Sequence, residues 1–151
     1  MRQQIHSQQW ISIPGGRVIL QEGGYLAAPT AFEVVPFAIS RYPVTNSEFA
    51  SFVAAGGYLN PSWWTDEGWC VKQKEGWMEP RHWDSLDWNH PDCPVVGVSW
   101  YEALAYCAWL SQQTSQTLTL PTEQQWQRAG QGDDRRAYAW GNGKPSEQLV
   151  N

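Results

Sequence analysis

Pro94-Val95-Val96-Gly97-Val98-Ser99-Trp100-Tyr101-Glu102-Ala103-Leu104-Ala105-Tyr106-Cys107 contains the helix start from which the rest of the chain can be read. Ser99 to Glu102 has the S/T-x-x-E form. The serine hydroxyl accepts from the backbone amide three residues on, and the glutamate carboxylate reaches back to the cap amide. Ala103, Tyr106, Cys107 and Leu110 then recur at i, i+3, i+4 and i+7, which predicts a helix to about Gln112 with one buried stripe.

The same grammar occurs on either side. Thr45-Asn46-Ser47-Glu48 predicts a helix over 47–55, with Phe49, Phe52 and Val53 on one face and Gly56-Gly57 as its stop. Thr122-Glu123-Gln124-Gln125 predicts a short helix through Trp126 and Arg128 that ends at Gly130. Upstream, residues 10–37 read as strands and turns. Pro14-Gly15-Gly16 separates two β-prone runs and predicts a turn, as does Glu22-Gly23-Gly24. Pro36 interrupts a further β-prone stretch and implies an edge strand or a bend.

Between the first two helices, residues 58–92 hold six of the 11 Trp and show no sustained period, so a long loop packed by its own side chains is expected. Residues 133–151 read as loop, anchored by Tyr138 and Trp140. The pattern predicts one α+β domain over 1–151, loop-rich, with short helices and little regular sheet. A length of 151 residues suits one domain.

Composition narrows the function classes. Lys plus Arg total 10 against 15 Asp plus Glu, a net charge of −5, and the basic pairs sit beside acids. Nucleic-acid binding needs a basic stripe, so it is not expected. No apolar run approaches the ~20 residues of a membrane span, and Met1 to Trp10 lacks the apolar region of a secretory signal. Cys70, Cys93 and Cys107 are an odd set without a CxxC pair, which reads as reduced thiols in a cytoplasmic protein.

His82, Asp84, Asp87, His90, Asp92 and Cys93 have metal-ligand chemistry, but their spacing fits no known zinc motif and reads as loop hydrogen bonding. Cys107 lies on the apolar stripe of its helix, where a thiol behaves as a small hydrophobe. Cys70 and Cys93 fall in the loop without a base nearby in sequence, and no residue is assigned as catalytic. Trp63, Trp64, Trp69 and Trp77 are the candidate ligand-stacking residues, because aromatic rings offer large contact area with a polar handle.

Several of these segments, in this order, resemble the formylglycine-generating enzyme (sulfatase-modifying factor) family. Phe37 to Phe49 is similar to its F-x-I-x-x-x-x-V-T-N-x-x-[FY] entry to the first helix, and Pro94 to Cys107 to its P-V-x-x-V-S-W-x-x-A-x-A-Y-C. Leu120 to Trp126 looks like its L-P-T-E-A-E-W, Tyr138 to Gly141 its Y-P-W-G, and Ile13 to Gly16 fits its opening strand. The resemblance implies a variant of the C-type-lectin-like fold, in which Trp100, Trp126 and Trp140 look structural.

Family members continue beyond W-G into a half that holds the catalytic cysteine pair, and this chain stops at Asn151. The expectation is therefore an incomplete domain without catalytic residues, serving as a binding or scaffold module. It would be completed by a second chain, bind a protein or peptide client, or associate with itself. Calcium and copper are implied by the resemblance alone, with Asn151 at the position of the first calcium-ligating Asn. The helix partner of the Cys107 position is Ala129 here, so that bridge is absent. The alternatives are part of an oxidase that converts a sulfatase cysteine to formylglycine when another chain supplies the second half, and a lectin-like ligand-display protein. A domain of the ergothioneine-synthase type also belongs here. It normally carries an added His-rich, iron-holding helical domain that this sequence does not contain.

Overall fold

Proline sets the layout of the strands. In the computed structural model, which describes residues 9–134 and 136–149, strand β1 (Trp10–Ile13) pairs antiparallel with β4 (Phe37–Ser40), and β2 (Gly16–Leu20) pairs with β3 (Thr30–Val34). Ile13 faces Phe37 and Gly16 faces Val34, so the register carries unchanged across the gap. The residues left out are Pro14-Gly15 and Val35-Pro36. Two prolines without N–H donors stand where the ladder would otherwise continue, and the pairing breaks there. The turn expected at Pro14-Gly15-Gly16 is thus a break through which the strand runs on, not a reversal. The reversal lies at Gly23-Gly24, where Gly23 and Leu26 exchange backbone bonds of 3.1 and 2.9 Å.

The described residues gather into two compact units, one over 42–120 and the other over 9–41 with 121–134 and 136–149. In the second, β2 buries Val18 and Leu20 on one face with the period of a half-buried strand. Helix α4 (Glu123–Gln131) packs on β2 and β3. It starts at the predicted Thr122 cap, with Gln125 completing the box. It runs past the expected stop at Gly130 and ends against Gly132.

The first unit holds α1 (Asn46–Ala54), α2 (Asp66–Glu75) and α3 (Trp100–Thr114). Both predicted capping boxes are formed, at Thr45/Glu48 and Ser99/Glu102. The buried stripe of α3 comprises Glu102, Ala105, Tyr106, Trp109 and Leu110, turned from the predicted one so that Ala103 and Cys107 sit at its margin.

The segment expected to be one long loop is corrected. A 3₁₀ turn at Pro61–Trp63 leads into α2, which places Cys70 on a helix. Thr65 caps α2, Asp66 and Glu67 lie in its first turn, and Lys72 and Lys74 in its last, each sign matching the helix dipole. Gly76 ends it in the left-handed region at φ 66°, a conformation other side chains resist.

Candidate functional site

Aromatic rings fill the core of the first unit. Phe52 is fully buried and meets Phe49, Tyr58, Trp63, Tyr106 and Trp109 at centroid distances of 5.3–6.1 Å. Tyr58 packs edge-on to Trp64 at 5.6 Å, and Trp64 to Trp69 at 6.1 Å. Such offset and T-shaped pairs each add about 0.5–1.5 kcal/mol beyond area burial.

The polar ends of these rings are satisfied. The Tyr58 hydroxyl donates to Glu102 Oε1, while Glu102 Oε2 accepts from the Ser99 amide at 2.6 Å. One buried carboxylate therefore closes the α3 capping box and holds the core phenol. Trp64 Nε1 donates to the Gly57 carbonyl at 2.8 Å, and Trp63 Nε1 to Gln112 Oε1 at 2.8 Å.

Of the candidate stacking residues, Trp64 is 7% exposed within the core, and Trp63, Trp69 and Trp77 are half-buried against it. The more exposed indoles lie elsewhere. Trp100 is 61% and Trp126 68% exposed, so these two, expected to be structural, present their rings to the surface. Beside Trp69 the structure places a residue that sequence reading passed over. The Lys72 side chain is buried, with Nζ 5.0 Å from the Trp69 ring centroid and 3.9 Å from Met78 Sδ. Spacing held a trace of it, since Lys72 stands three residues after Trp69 on one helix face.

Asn46 is the second residue passed over. It lies three positions before Phe49 on the buried face of α1, and its Nδ2 donates to the carbonyls of Trp88 and His90 at 2.9 Å and of Cys93 at 3.2 Å. This side-chain amide and the backbone amides of Asn46 and Ser47, which donate to the Cys93 and Pro91 carbonyls at 2.9 and 3.0 Å, together hold the later half of the polar loop from His82 to Cys93. Among the described residues no three His, Cys, Asp or Glu side chains come together to hold a metal. Asn151, the candidate calcium ligand, lies outside the described residues.

In the second unit Arg128 plays the comparable part. Its guanidinium donates to the carbonyls of Pro14 and Gly15 at 3.0 Å and of Gly132 at 2.7 Å, and to Asp133 Oδ1 at 2.5 Å. A Cβ on Gly16 would stand 2.7 Å from its Cζ, so only glycine admits the group so close to the strand.

Cys70 and Cys93 are exposed thiols, and Cys107 is half-buried. Burial pushes the Cys107 thiol from its ordinary 9.0 up to about 11. Burial, and then Glu102, raises the Tyr58 phenol above its ordinary value, and burial raises that of Tyr106. In each case the unfolded chain gives up its proton at a lower pH than the folded one. Stability from these groups is fully present below pH 9.0 and is lost as pH rises past the ordinary thiol value and then the phenol value of 10.0. Urea midpoints should fall steadily above that pH, and Cys107→Ala should remove the earliest part of the fall. A flat profile to strongly alkaline pH contradicts this assignment.

Residues 1–151 match the family model described as the sulfatase-modifying factor enzyme 1-like domain. The chain is 36% identical over 132 residues to the hercynine oxygenase of Mycolicibacterium thermoresistibile, covering 79% of this chain and 28% of that protein. It is 30% identical over 167 residues to the formylglycine-generating enzyme of Thermomonospora curvata, covering 87% of this chain and 52% of that one. It is 31% identical over 163 residues to the inactive C-alpha-formylglycine-generating enzyme 2 of Mus musculus, covering 87% of this chain and 50% of that one. The chain thus spans under a third of the first relative and about half of the other two. No helix among the described residues is long and apolar enough to cross a membrane.

Proposed function

The chain belongs to the sulfatase-modifying factor enzyme 1-like domain family, and on that premise we propose that these residues are the scaffold portion of such a domain. In this reading they contribute the frame and a binding surface, while further polypeptide contributes the reacting groups.

One observation carries the proposal: the polar residues of the family-like segments are engaged in holding the frame. Asn46 ties down a loop, Glu48, Glu102 and Gln125 close capping boxes, and Glu102 also holds Tyr58. The exposed indoles of Trp100 and Trp126 support completion by further polypeptide, because large apolar side chains at the surface mark places where something docks. The greater length of the relatives points the same way. The α+β character, short helices and small antiparallel sheets support the C-type-lectin-like architecture implied by the resemblance.

Copper and calcium gain no residues here. Two of the thiols are exposed, the third is kept protonated by burial, and the one calcium candidate lies outside the described residues. The three free thiols support a reducing compartment, with cytoplasm as the simplest choice. The higher identity to hercynine oxygenases favours an oxygenase acting on a hercynine-like small molecule as the parent activity, ahead of sulfatase modification.

The 151-residue chain, incubated in air with hercynine or with a C-x-P-x-R peptide and the metals these reactions use, should give neither an oxygenated product nor formylglycine by mass spectrometry. Product formed by the chain alone overturns the scaffold reading. In sedimentation the chain should self-associate, and Trp100→Ser with Trp126→Ser should weaken that association. A monodisperse monomer at high concentration argues against completion by further polypeptide.

A further inference from the structure

We propose that Trp69, Trp64 and Tyr58 form a relay that carries a one-electron oxidising equivalent from the surface of α2 to a buried phenol, with Glu102 as the proton acceptor. This goes beyond the scaffold reading and does not rest on it. It gives a role to two of the six tryptophans in residues 58–92.

The three rings stand in sequence, Trp69 to Trp64 at 6.1 Å and Trp64 to Tyr58 at 5.6 Å. Trp69 is half-buried and reachable from outside, whereas Trp64 and Tyr58 are buried. Among the described residues the ring neighbours of Tyr58 are Trp64 and Phe52, and a phenylalanine ring is too hard to oxidise to pass the equivalent on. The chain of oxidisable rings therefore ends at Tyr58.

Its direction follows from charge. The Lys72 ammonium, 5.0 Å from the Trp69 centroid, opposes a positive charge on that ring. The Trp64 indole N–H points at the Gly57 carbonyl, which is no base, so an oxidised Trp64 stays a buried cation and is costly. Tyr58 differs because its hydroxyl already donates to a carboxylate. When it loses an electron, the proton has an acceptor in hydrogen-bond contact. The outcome is a neutral phenoxyl beside a neutral carboxylic acid, with the proton moved along the existing Tyr58–Glu102 hydrogen bond.

The balance is simple. A one-electron oxidant at the surface takes an electron from Trp69 and is reduced. Trp69 is refilled from Trp64, and Trp64 from Tyr58. The phenolic O–H bond breaks as its proton forms a new O–H bond on Glu102 Oε1. No atom leaves the protein, and the oxidising equivalent rests on Tyr58 until a reductant removes it.

The experiment uses the full chain with photogenerated ruthenium(III) tris-bipyridine as the oxidant, followed by freezing and electron paramagnetic resonance. Ascorbate added after the flash clears radicals on exposed tyrosines and leaves a buried one. The wild type should show a tyrosyl signal that survives ascorbate, and Tyr58→Phe should lose it. Trp64→Phe should lose it as well, with the equivalent held as a tryptophan radical. Glu102→Gln still closes the capping box but takes up no proton, so it should lose the persistent signal while its circular dichroism stays that of the wild type. Lys72→Gln, which leaves the core rings intact, should shift signal from tyrosyl toward tryptophan. Persistence of the signal in Tyr58→Phe, an unchanged yield in Trp64→Phe, or no response to Lys72→Gln overturns the relay.

Discussion

Arg128→Ala should lower the stability of the β-strand unit by about 1.5–3 kcal/mol, the range for hydrogen bonds made by a charged group. The guanidinium is 2% exposed and donates to three backbone carbonyls and one carboxylate. Truncation removes the donor from the carbonyls of exposed Pro14 and half-buried Gly15 and Gly132, and the Pro14-Gly15 break has no sheet partner to take their place. Most of the loss comes from these carbonyls and not from the ion pair. Asp133 is 82% exposed, and Asp133→Asn should cost only about 0–1 kcal/mol. Arg128→Lys keeps the charge and loses the planar fork, so it should behave more like the alanine variant than like wild type. Urea unfolding of the three variants separates these terms. A large effect of Asp133→Asn with a small one of Arg128→Lys would reverse the assignment from fork geometry to charge.

The helical unit depends more heavily still on Phe52. Phe52→Ala should cost about 3–5 kcal/mol, as large-to-small changes of a buried phenylalanine do. Its ring touches five aromatic neighbours contributed by α1, the segment after it, the 3₁₀ turn and α3. Stiff rings with few rotamers close poorly over a void, which places the cost toward the upper end. Loss of near-ultraviolet circular dichroism from the packed tryptophans should accompany the fall in urea midpoint. A cost under about 1.5 kcal/mol would mean that the core repacks as readily as an aliphatic one.

The helix that escaped sequence reading shows why part of the candidate site was hidden. The buried residues of α2 are Gly68 and Lys72, so no apolar period marks its inward face. Its end signals were present, in Thr65, Asp66, Glu67 and Gly76, and reading caps before periods would have found it. Asn46 had a similar disguise as a polar residue on an apolar face. For the tryptophans, sequence could say that there were many, but which rings lie inside follows from how the segments pack. Trp64 is in the core while Trp100, beside a capping serine, is not.

What the sequence by itself determined is the family, the α+β class, the three capped helix starts and the tight turn at Gly23-Gly24. Each of those local features rests on contacts among residues a few positions apart, and such contacts form wherever the residues occur. Only the tertiary structure decided the β1–β4 register, the two prolines facing each other across the break, and the partners of Asn46, Arg128 and Glu102. The distant partners among these lie 42–47, 113–114 and 44 residues away along the chain. A bond across such a distance depends on the path of everything between its ends, which no local pattern encodes.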